Sequence, residues 1–294
     1  MSSSIRSFAK INLGLFIGPS RPHDGRHELV TVMQSISLAD ELTLETRASG
    51  ADEVICPGVE GPNLVGAAIA GLRERGWDGP PVRIEVRKQI PVAAGMGGGS
   101  ADAACALRLA AAAAPLPAPP VVSELAAALG ADVPSQLQPG LVLGTGAGDL
   151  VETVPAIAPH ALVIVPLPAA LSTVAVYAEA DRLGLGRRPE ELRENLTRLR
   201  AALTAGAQLP PELIRNDLEA AARSLCPPID EAIAAVWGLG ADHVFVSGSG
   251  PTVAGLWWAG SKAEEVAAAL AGRYPGASAA MPADGVFAGT TRVD

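Results

Sequence analysis

Cysteine, histidine, aromatic residues and positive charge are all scarce in this 294-residue sequence. Its cysteines, Cys56, Cys105 and Cys226, are far apart and form no C-x-x-C pair, which excludes a disulfide framework and predicts a reducing, cytoplasmic setting. Of the 4 histidines, His23 and His27 stand four apart, but Pro22 and Gly25 make that stretch a turn. No partner lies at ligand spacing, so no structural metal site is expected. With 4 Phe, 4 Trp and 2 Tyr, the interior must be filled by aliphatic side chains and alanine. Lys+Arg total 22 against 31 Asp+Glu, for a net charge of −9. That balance excludes a general nucleic-acid or anionic-membrane surface, so any phosphate must be handled locally. The longest wholly apolar stretches, 109–122 and 161–171, are shorter than the roughly 18 residues a spanning helix needs, and both contain proline. A soluble protein is expected.

Hydrophobic residues make up 49% and charged residues 18%, enough apolar surface to offset ordering entropy. The length predicts about two domains. Residues 8–15 and 30–45 read as strands around a turn at 19–25. Residues 63–76 carry Leu64, Ala67, Ala68, Gly71 and Leu72 at helical spacing. Val82, Ile84 and Val86 alternate with Arg83, Glu85 and Arg87, the mark of a half-buried strand. A glycine loop and an alanine- and leucine-rich helix to Ala114 follow. After a proline-rich break at 115–120, a helix over 123–129 is predicted, with Ser123 as N-cap and Gly130 past its end. Strands are predicted at 140–145 and 151–154, and a domain boundary near 155–159.

The second half predicts a strand over 162–167 and helices over 173–183, 189–204, 211–225 and 229–237. Strands at 243–247 and 252–258 flank the loop Gly248-Ser249-Gly250-Pro251. A final helix opens with Ser261 and Glu264 as a capping box and ends at Gly272. There is no internal repeat and no charge block; the alanine clusters read as helix filler.

The most informative feature is the strand–loop–helix run Pro91, Val92, Ala93, Ala94, Gly95, Met96, Gly97, Gly98, Gly99, Ser100, Ala101. Each glycine weakens a helix by about 1 kcal/mol, so such a cluster implies close approach of the backbone to something. Converging N–H groups and the positive end of the following helix suit phosphate. The loop is not a P-loop, because Ser100 stands where that motif needs lysine, and it is not G-x-G-x-x-G, whose third glycine would fall on Ser100. Neither Ser247 nor Ser249 has glycines two positions away on both sides, so a nucleophile elbow is absent.

Five segments occur in the order found in the GHMP kinases, and over nearly its whole length the chain resembles that family. They are Ala9-Lys10-Ile11-Asn12-Leu13, Asp24-Gly25-Arg26-His27-Glu28-Leu29, the glycine loop, Gly130-Ala131-Asp132-Val133-Pro134, and Ser247-Gly248-Ser249-Gly250-Pro251-Thr252. The resemblance implies an α/β (α+β) two-domain GHMP kinase fold. A ribosomal S5 domain 2-like N-terminal domain would cover 1–155 and a ferredoxin-like C-terminal domain 156–294. ATP, with Mg²⁺, would lie with its phosphates along 91–101 and its adenine near Asn63. Asp132 matches the catalytic aspartate and Lys10 its partner lysine. Asn12, Arg26, His27, Tyr177, Gly248, Ser249 and Gly250 would meet the substrate.

Asp132 would accept the proton of the attacking hydroxyl while Lys10 orients it, since phosphoryl transfer depends on positioning and charge stabilisation. The lysine, histidine and aspartate segments are most similar to those of members acting on a cytidine diphosphate-linked methylerythritol. Other small alcohols of the family, such as homoserine or mevalonate, are the alternative, and a metabolite-binding protein without turnover is a third reading. A monomer or homodimer is expected, with no nucleic-acid or membrane partner. Two departures stand out. Arg26 occupies a place where the family usually has tyrosine, and a guanidinium there can stack on a base and add charge near a diphosphate. Ser135 and Gln136 follow D-V-P where the family tends to have aromatics, which bears on the floor of the cleft. No acidic pair adjoins the glycine loop in sequence, so the Mg²⁺ ligands are not assigned.

Overall fold

The computed structural model describes residues 2–59, 61, 63–116, 118–259, 262–284 and 291–293. The first half is built on two long antiparallel strands, β1 (Ser2–Ser20) and β2 (His27–Thr46). They are followed by β3 (Glu53–Ile55), α1 (Leu64–Glu74), β4 (Val82–Arg87), α2 (Gly98–Ala113), α3 (Pro119–Leu129), α4 (Val133–Gln136), β5 (Leu141–Thr145) and β6 (Leu150–Thr153). Then come β7 (His160–Val165), α5 (Thr173–Leu183), α6 (Pro189–Ala202), α7 (Glu219–Leu225), α8 (Pro228–Gly238), β8 (His243–Val246), β9 (Val253–Trp258), α9 (Ala263–Ala271), β10 (Ser278–Ala280) and β11 (Thr291–Val293).

The first sheet runs β11-β1-β2-β4-β3, and β2 is long enough to pair with β5 at its start and β4 at its end. Irregularities between Phe8 and Lys10 and between Asn12 and Gly14 bracket the segment carrying Lys10 and Asn12. Such bulges re-aim side chains. The second sheet is antiparallel in the order β10-β7-β9-β8. With crossings by helices after its first and third strands, this is the ferredoxin-like arrangement that the resemblance implied.

Alternation along β7 divides its side chains between two cores. Leu162 and Ile164 face Ile11, Leu13, Val30 and Val32 of the first sheet, while Ala161, Val163 and Val165 face α5, α7, α8 and α9. A third core packs α1, α2 and α3 on β2 and β4, where Ala103, Ala104, Ala106 and Ala110 of α2 are buried and permit close approach to the sheet, while Ala111 and Ala112 are exposed.

Three sequence expectations are corrected. The helix expected from Ser123 begins at Pro119, with Ala118 at the cap, because proline suits the first helical turn where no N–H is needed. The helix expected over 211–225 is broken. Only a single 3₁₀ turn, Pro211–Leu213, precedes α7, because Asn216 bridges to Leu15 and Asp217 accepts from the Ile17 N–H. Short polar side chains that bond the backbone compete with the helix. α9 starts at Ala263 with Lys262 at its cap, and Ser261 lies outside the described residues.

The strap over 213–217 ties the two halves together. Asp217, 7% exposed, accepts 2.5 and 2.7 Å hydrogen bonds from Arg187, whose guanidinium lies 5.0 Å from the Phe16 ring centroid. Among the described residues, the buried carboxylate without Arg187 keeps only the half-exposed Arg215, at 3.3 Å, and the Ile17 N–H. Arg187→Met is therefore expected to lower the unfolding free energy by about 2–3 kcal/mol. Arg198→Met, which breaks the exposed pair with Glu212, should cost less than about 1 kcal/mol. Urea denaturation of both variants measures the difference.

Candidate active site

A cleft of about 860 Å³ opens between the glycine loop, the middle of β1, the start of β2, and α5. Between 91 and 100, Ala93, Gly95 and Gly97 alone have left-handed φ, at 56°, 75° and 67°. This alternation is the backbone form that turns successive N–H groups toward one anion. Gly97 caps α2, so the N–H groups of Gly98, Gly99 and Ser100 have no intrahelical acceptor. Ala101 is the first whose N–H is used, by Gly97 O at 2.9 Å, and its side chain is buried. The cleft wall includes residues 91–100, and Ala101, expected beside the cofactor, lies just behind it.

Lys10 enters from β1, 4% exposed, and its backbone N–H donates to Met96 O at 2.9 Å. Its ammonium lies 2.7 Å from Asn12 Oδ1 and 3.3 Å from Asp132 Oδ2. The amide of Asn12 is oriented by a relay. Thr31 Oγ donates to Gly14 O at 2.8 Å, so it must accept from Asn12 Nδ2, also at 2.8 Å, leaving Oδ1 for the lysine. Asp132 sits at the cap of α4 with its side chain 36% exposed to the cleft. Ser135 and Gln136 are buried behind it and do not line the cleft. Ser135 Oγ donates to Asp132 O at 2.7 Å and holds the turn.

At the other end, His27 Nδ1 donates to Gly18 O at 2.8 Å, since a carbonyl can only accept. Its Nε2 lies 3.2 Å from Asp181 Oδ1, and its ring centroid is 5.3 Å from that of Tyr177. Burial first, and then the charge of Asp132, push the Tyr177 phenol well above its ordinary pKa, so it remains a donor. Arg26 reaches the cleft but is held by Asp24 at 2.8 Å and Asp149 at 3.5 Å, so its charge is already balanced. Asn63 lines the cleft as the N-cap of α1, its Oδ1 accepting from Gly66 N at 2.9 Å.

Gly248 and Ser249 close the cleft from the second half. Gly250 does not line it. Its N–H donates to Ser247 O, and a side chain there would meet Val246, Leu171 and Ala222, so it packs behind the cleft wall. The two glycine loops touch. Ser247 Oγ donates to Gly95 O at 3.3 Å, and a Cβ on Gly95 would lie 2.6 Å from Ser247 O. Sequence reasoning missed Lys88 and Asp102 on the cleft wall, together with Asp40 behind them. Lys88 Nζ bonds both aspartates, so an acidic pair does stand beside the loop, one member arriving from β2. Among the described residues no group of three His, Cys, Asp or Glu forms a metal cage.

The profile of the GHMP kinases N terminal domain matches residues 63–145 and that of the C-terminal domain residues 188–276. The chain belongs to the GHMP kinases. It is 40% identical over 284 residues to the 4-diphosphocytidyl-2-C-methyl-D-erythritol kinase of Saccharopolyspora erythraea, covering 92% of this chain and 87% of that one. To the protein of the same name from Mycobacterium tuberculosis it is 41% identical over 282 residues, with coverages of 92% and 87%. A crystal structure of 4-(cytidine 5'-diphospho)-2C-methyl-D-erythritol kinase superposes with a TM-score of 0.75 at 30% identity, covering 95% of this chain and 99% of that chain. Homoserine kinase from Cytophaga hutchinsonii shares the fold, with a TM-score of 0.68 at 16% identity and coverages of 99% and 96%.

The contact between the loops gives a direct test. Gly95→Ala combines left-handed alanine, about 1–2 kcal/mol, with a clash against two backbone carbonyls. Gly58→Ala has a left-handed φ of 82° but open space around it. Both variants should melt at lower temperature, while turnover should collapse only in Gly95→Ala; differential scanning calorimetry beside an ADP-release assay separates strain from loop displacement.

Proposed function

We propose that this chain is an ATP-dependent kinase that phosphorylates the 2-hydroxyl of 4-diphosphocytidyl-2-C-methyl-D-erythritol in non-mevalonate isoprenoid synthesis. The relatives bearing that activity in their names, aligned over about nine-tenths of the chain, support the substrate. The observation that carries the chemistry is the placement of Lys10 3.3 Å from Asp132 in the cleft that the glycine loop lines. A carboxylate and an ammonium are thereby presented together beside a cradle for phosphate.

In this reading the N–H groups from 95 to 100 and the positive end of α2 hold the nucleotide's phosphates, a water-poor substitute for cationic side chains. Asn63 borders the adenine side. The substrate hydroxyl sits at Asp132, which accepts its proton, while Lys10 orients that hydroxyl and stabilises the charge passing between the oxygens. Asn12 fixes the ammonium. His27, Tyr177, Arg26, Gly248 and Ser249 surround the cytidine diphosphate portion. Tyr177 offers an aromatic face and a hydroxyl donor, and Arg26, held by Asp24 and Asp149, offers a planar surface rather than a free cation.

Mg²⁺ fits the donors present. The Ser100 hydroxyl and the Asp132 carboxylate both line the cleft, and Mg²⁺ takes few protein ligands beside phosphates and water. When bound, it would neutralise charge on the transferred group. We place the boundary between the two domains at 155/156 and take the enzyme to be a cytoplasmic monomer or homodimer.

Asp132→Ala should lower kcat by at least ~100-fold, the low end for a general base, without loss of cooperative melting. Near-normal kcat in the folded variant would remove the carboxylate from the reaction. The substrate is tested by ADP formation with the cytidine diphosphate compound, homoserine, mevalonate and galactose, with the first expected to dominate kcat/KM. ATP binding without ADP release on any alcohol would instead identify a binding protein.

A further inference from the structure

A second lysine beside the phosphate loop invites a simple interpretation, that Lys88 is a direct ligand for the nucleotide's phosphates. It lines the cleft, and its Nζ is 3.3 Å from where a side chain on Gly98 would begin. Its partners contradict that interpretation. Lys88 Nζ donates to Asp40 Oδ2 and, at 2.8 Å, to Asp102 Oδ2, and its side chain is only 15% exposed. Burial favours its neutral form, but the two carboxylates outweigh burial and the net pKa shift is upward. The ammonium is thus spent on two internal anions, and the cluster as a whole carries one negative charge.

What the cluster holds is the loop. Asp40, fully buried on β2, accepts through Oδ1 from the N–H groups of Gln89 and Ile90 at 2.5 and 2.8 Å, just before the loop begins. Asp102 stands in the second turn of α2, just after the loop ends, and its side chain is 6% exposed. Lys88 joins them, so one buried ionic cluster grips both ends of the same eleven-residue path, 91–101. Buried ion pairs add little net stability over apolar packing, whereas hydrogen-bonded polar networks fix direction and distance; in this one Asp102 Oδ2 is bonded to Lys88 while its Oδ1 has no hydrogen-bond partner among the described residues.

We propose that Asp40, Lys88 and Asp102 are positioning residues that set the span of the phosphate loop, with Lys88 acting through the loop rather than on the phosphates. The proposal rests on the nucleotide reading above. Its test is a sign. If Lys88 were a phosphate ligand, removing Asp102 would free it and remove a negative charge, and nucleotide would bind tighter. If the cluster sets the loop, the same change weakens binding. We expect Asp102→Ala to raise the Kd of a fluorescent ADP analogue about 10-fold, well within the penalty of a displaced site. Asp102→Asn, whose amide oxygen still accepts from Lys88, should raise it only about 3-fold, with KM for the cytidine diphosphate substrate changed less than about 2-fold in either variant. Cooperative melting establishes folding, and Asp102→Asn carries the test should the alanine variant fail to fold. Unchanged or tighter binding in a folded variant overturns the proposal. Failure of the unmodified protein to bind the analogue would overturn the nucleotide reading itself.

Discussion

The interaction on which the rest of the site depends is the burial of the Lys10 ammonium. A charge at 4% exposure is costly unless it is paired, and here Asn12 and Asp132 are its partners. That requirement reaches outward. Asn12 must present its oxygen, which requires the Thr31 hydroxyl to accept from its nitrogen, which requires Gly14 O to take the hydroxyl hydrogen. Two strands are thereby committed to the orientation of one amide. The bulges that bracket Lys10 and Asn12 are the backbone side of the same constraint, since regular pairing would impose simple alternation on a stretch that carries both the apolar core and the polar site.

Glycine is demanded at three points around that ammonium for a reason of space as much as of φ. A Cβ on Gly97 would stand 3.0 Å from Lys10 Cγ, and one on Gly248 would stand 3.3 Å from Asn12 Oδ1 and 3.5 Å from Lys10 Nζ. One on Gly95 would enter the carbonyls of the opposite loop. The lysine stem is thus packed between loops from both halves of the molecule. The loop from the second half is itself held through Asn216, which donates to Val246 O and Gly248 O at 2.8 and 2.6 Å while its backbone bridges to Leu15 on β1. The strand carrying the lysine and the loop covering it are therefore registered through one side chain.

Local signals were legible in the sequence, and contacts across long separations were not. The alternation of Val82, Ile84 and Val86, the helix after Asn63 and the glycine loop each express a rule operating within a few residues, and each appears in the structure. Lys10 and Asp132 could be named from their segments, but their 3.3 Å separation could not be read from spacing. The triad of Asp40, Lys88 and Asp102 left no signal, because Asp40 is 48 residues from Lys88 and reads as an ordinary charge beside a strand. The broken helix at 214–218 failed for the same reason: apolar spacing there favours a helix, and pairing with β1 overrides it. Arg26 was legible as a guanidinium at the cleft, but its balance by Asp149 depends on a turn more than a hundred residues away.

The electrostatics of the cleft follow from these pairings. The protein carries a net charge of −9, and the Lys and Arg side chains that line the cleft already have carboxylate partners: Lys10 with Asp132, Lys88 with Asp40 and Asp102, and Arg26 with Asp24 and Asp149. A polyphosphate entering such a cleft meets little uncompensated cationic charge. The attraction must come from oriented dipoles, which the alternating left-handed loop and the unpaired N–H groups of Gly98, Gly99 and Ser100 supply at fixed positions. Dipoles fixed before the ligand arrives need little reorganisation as charge moves from one oxygen to another. On the proposed reading, pairing each cation internally leaves the side chains rigid and gives the task of anion recognition to the backbone, so that four glycines, rather than a cluster of lysines and arginines, mark the site in the sequence.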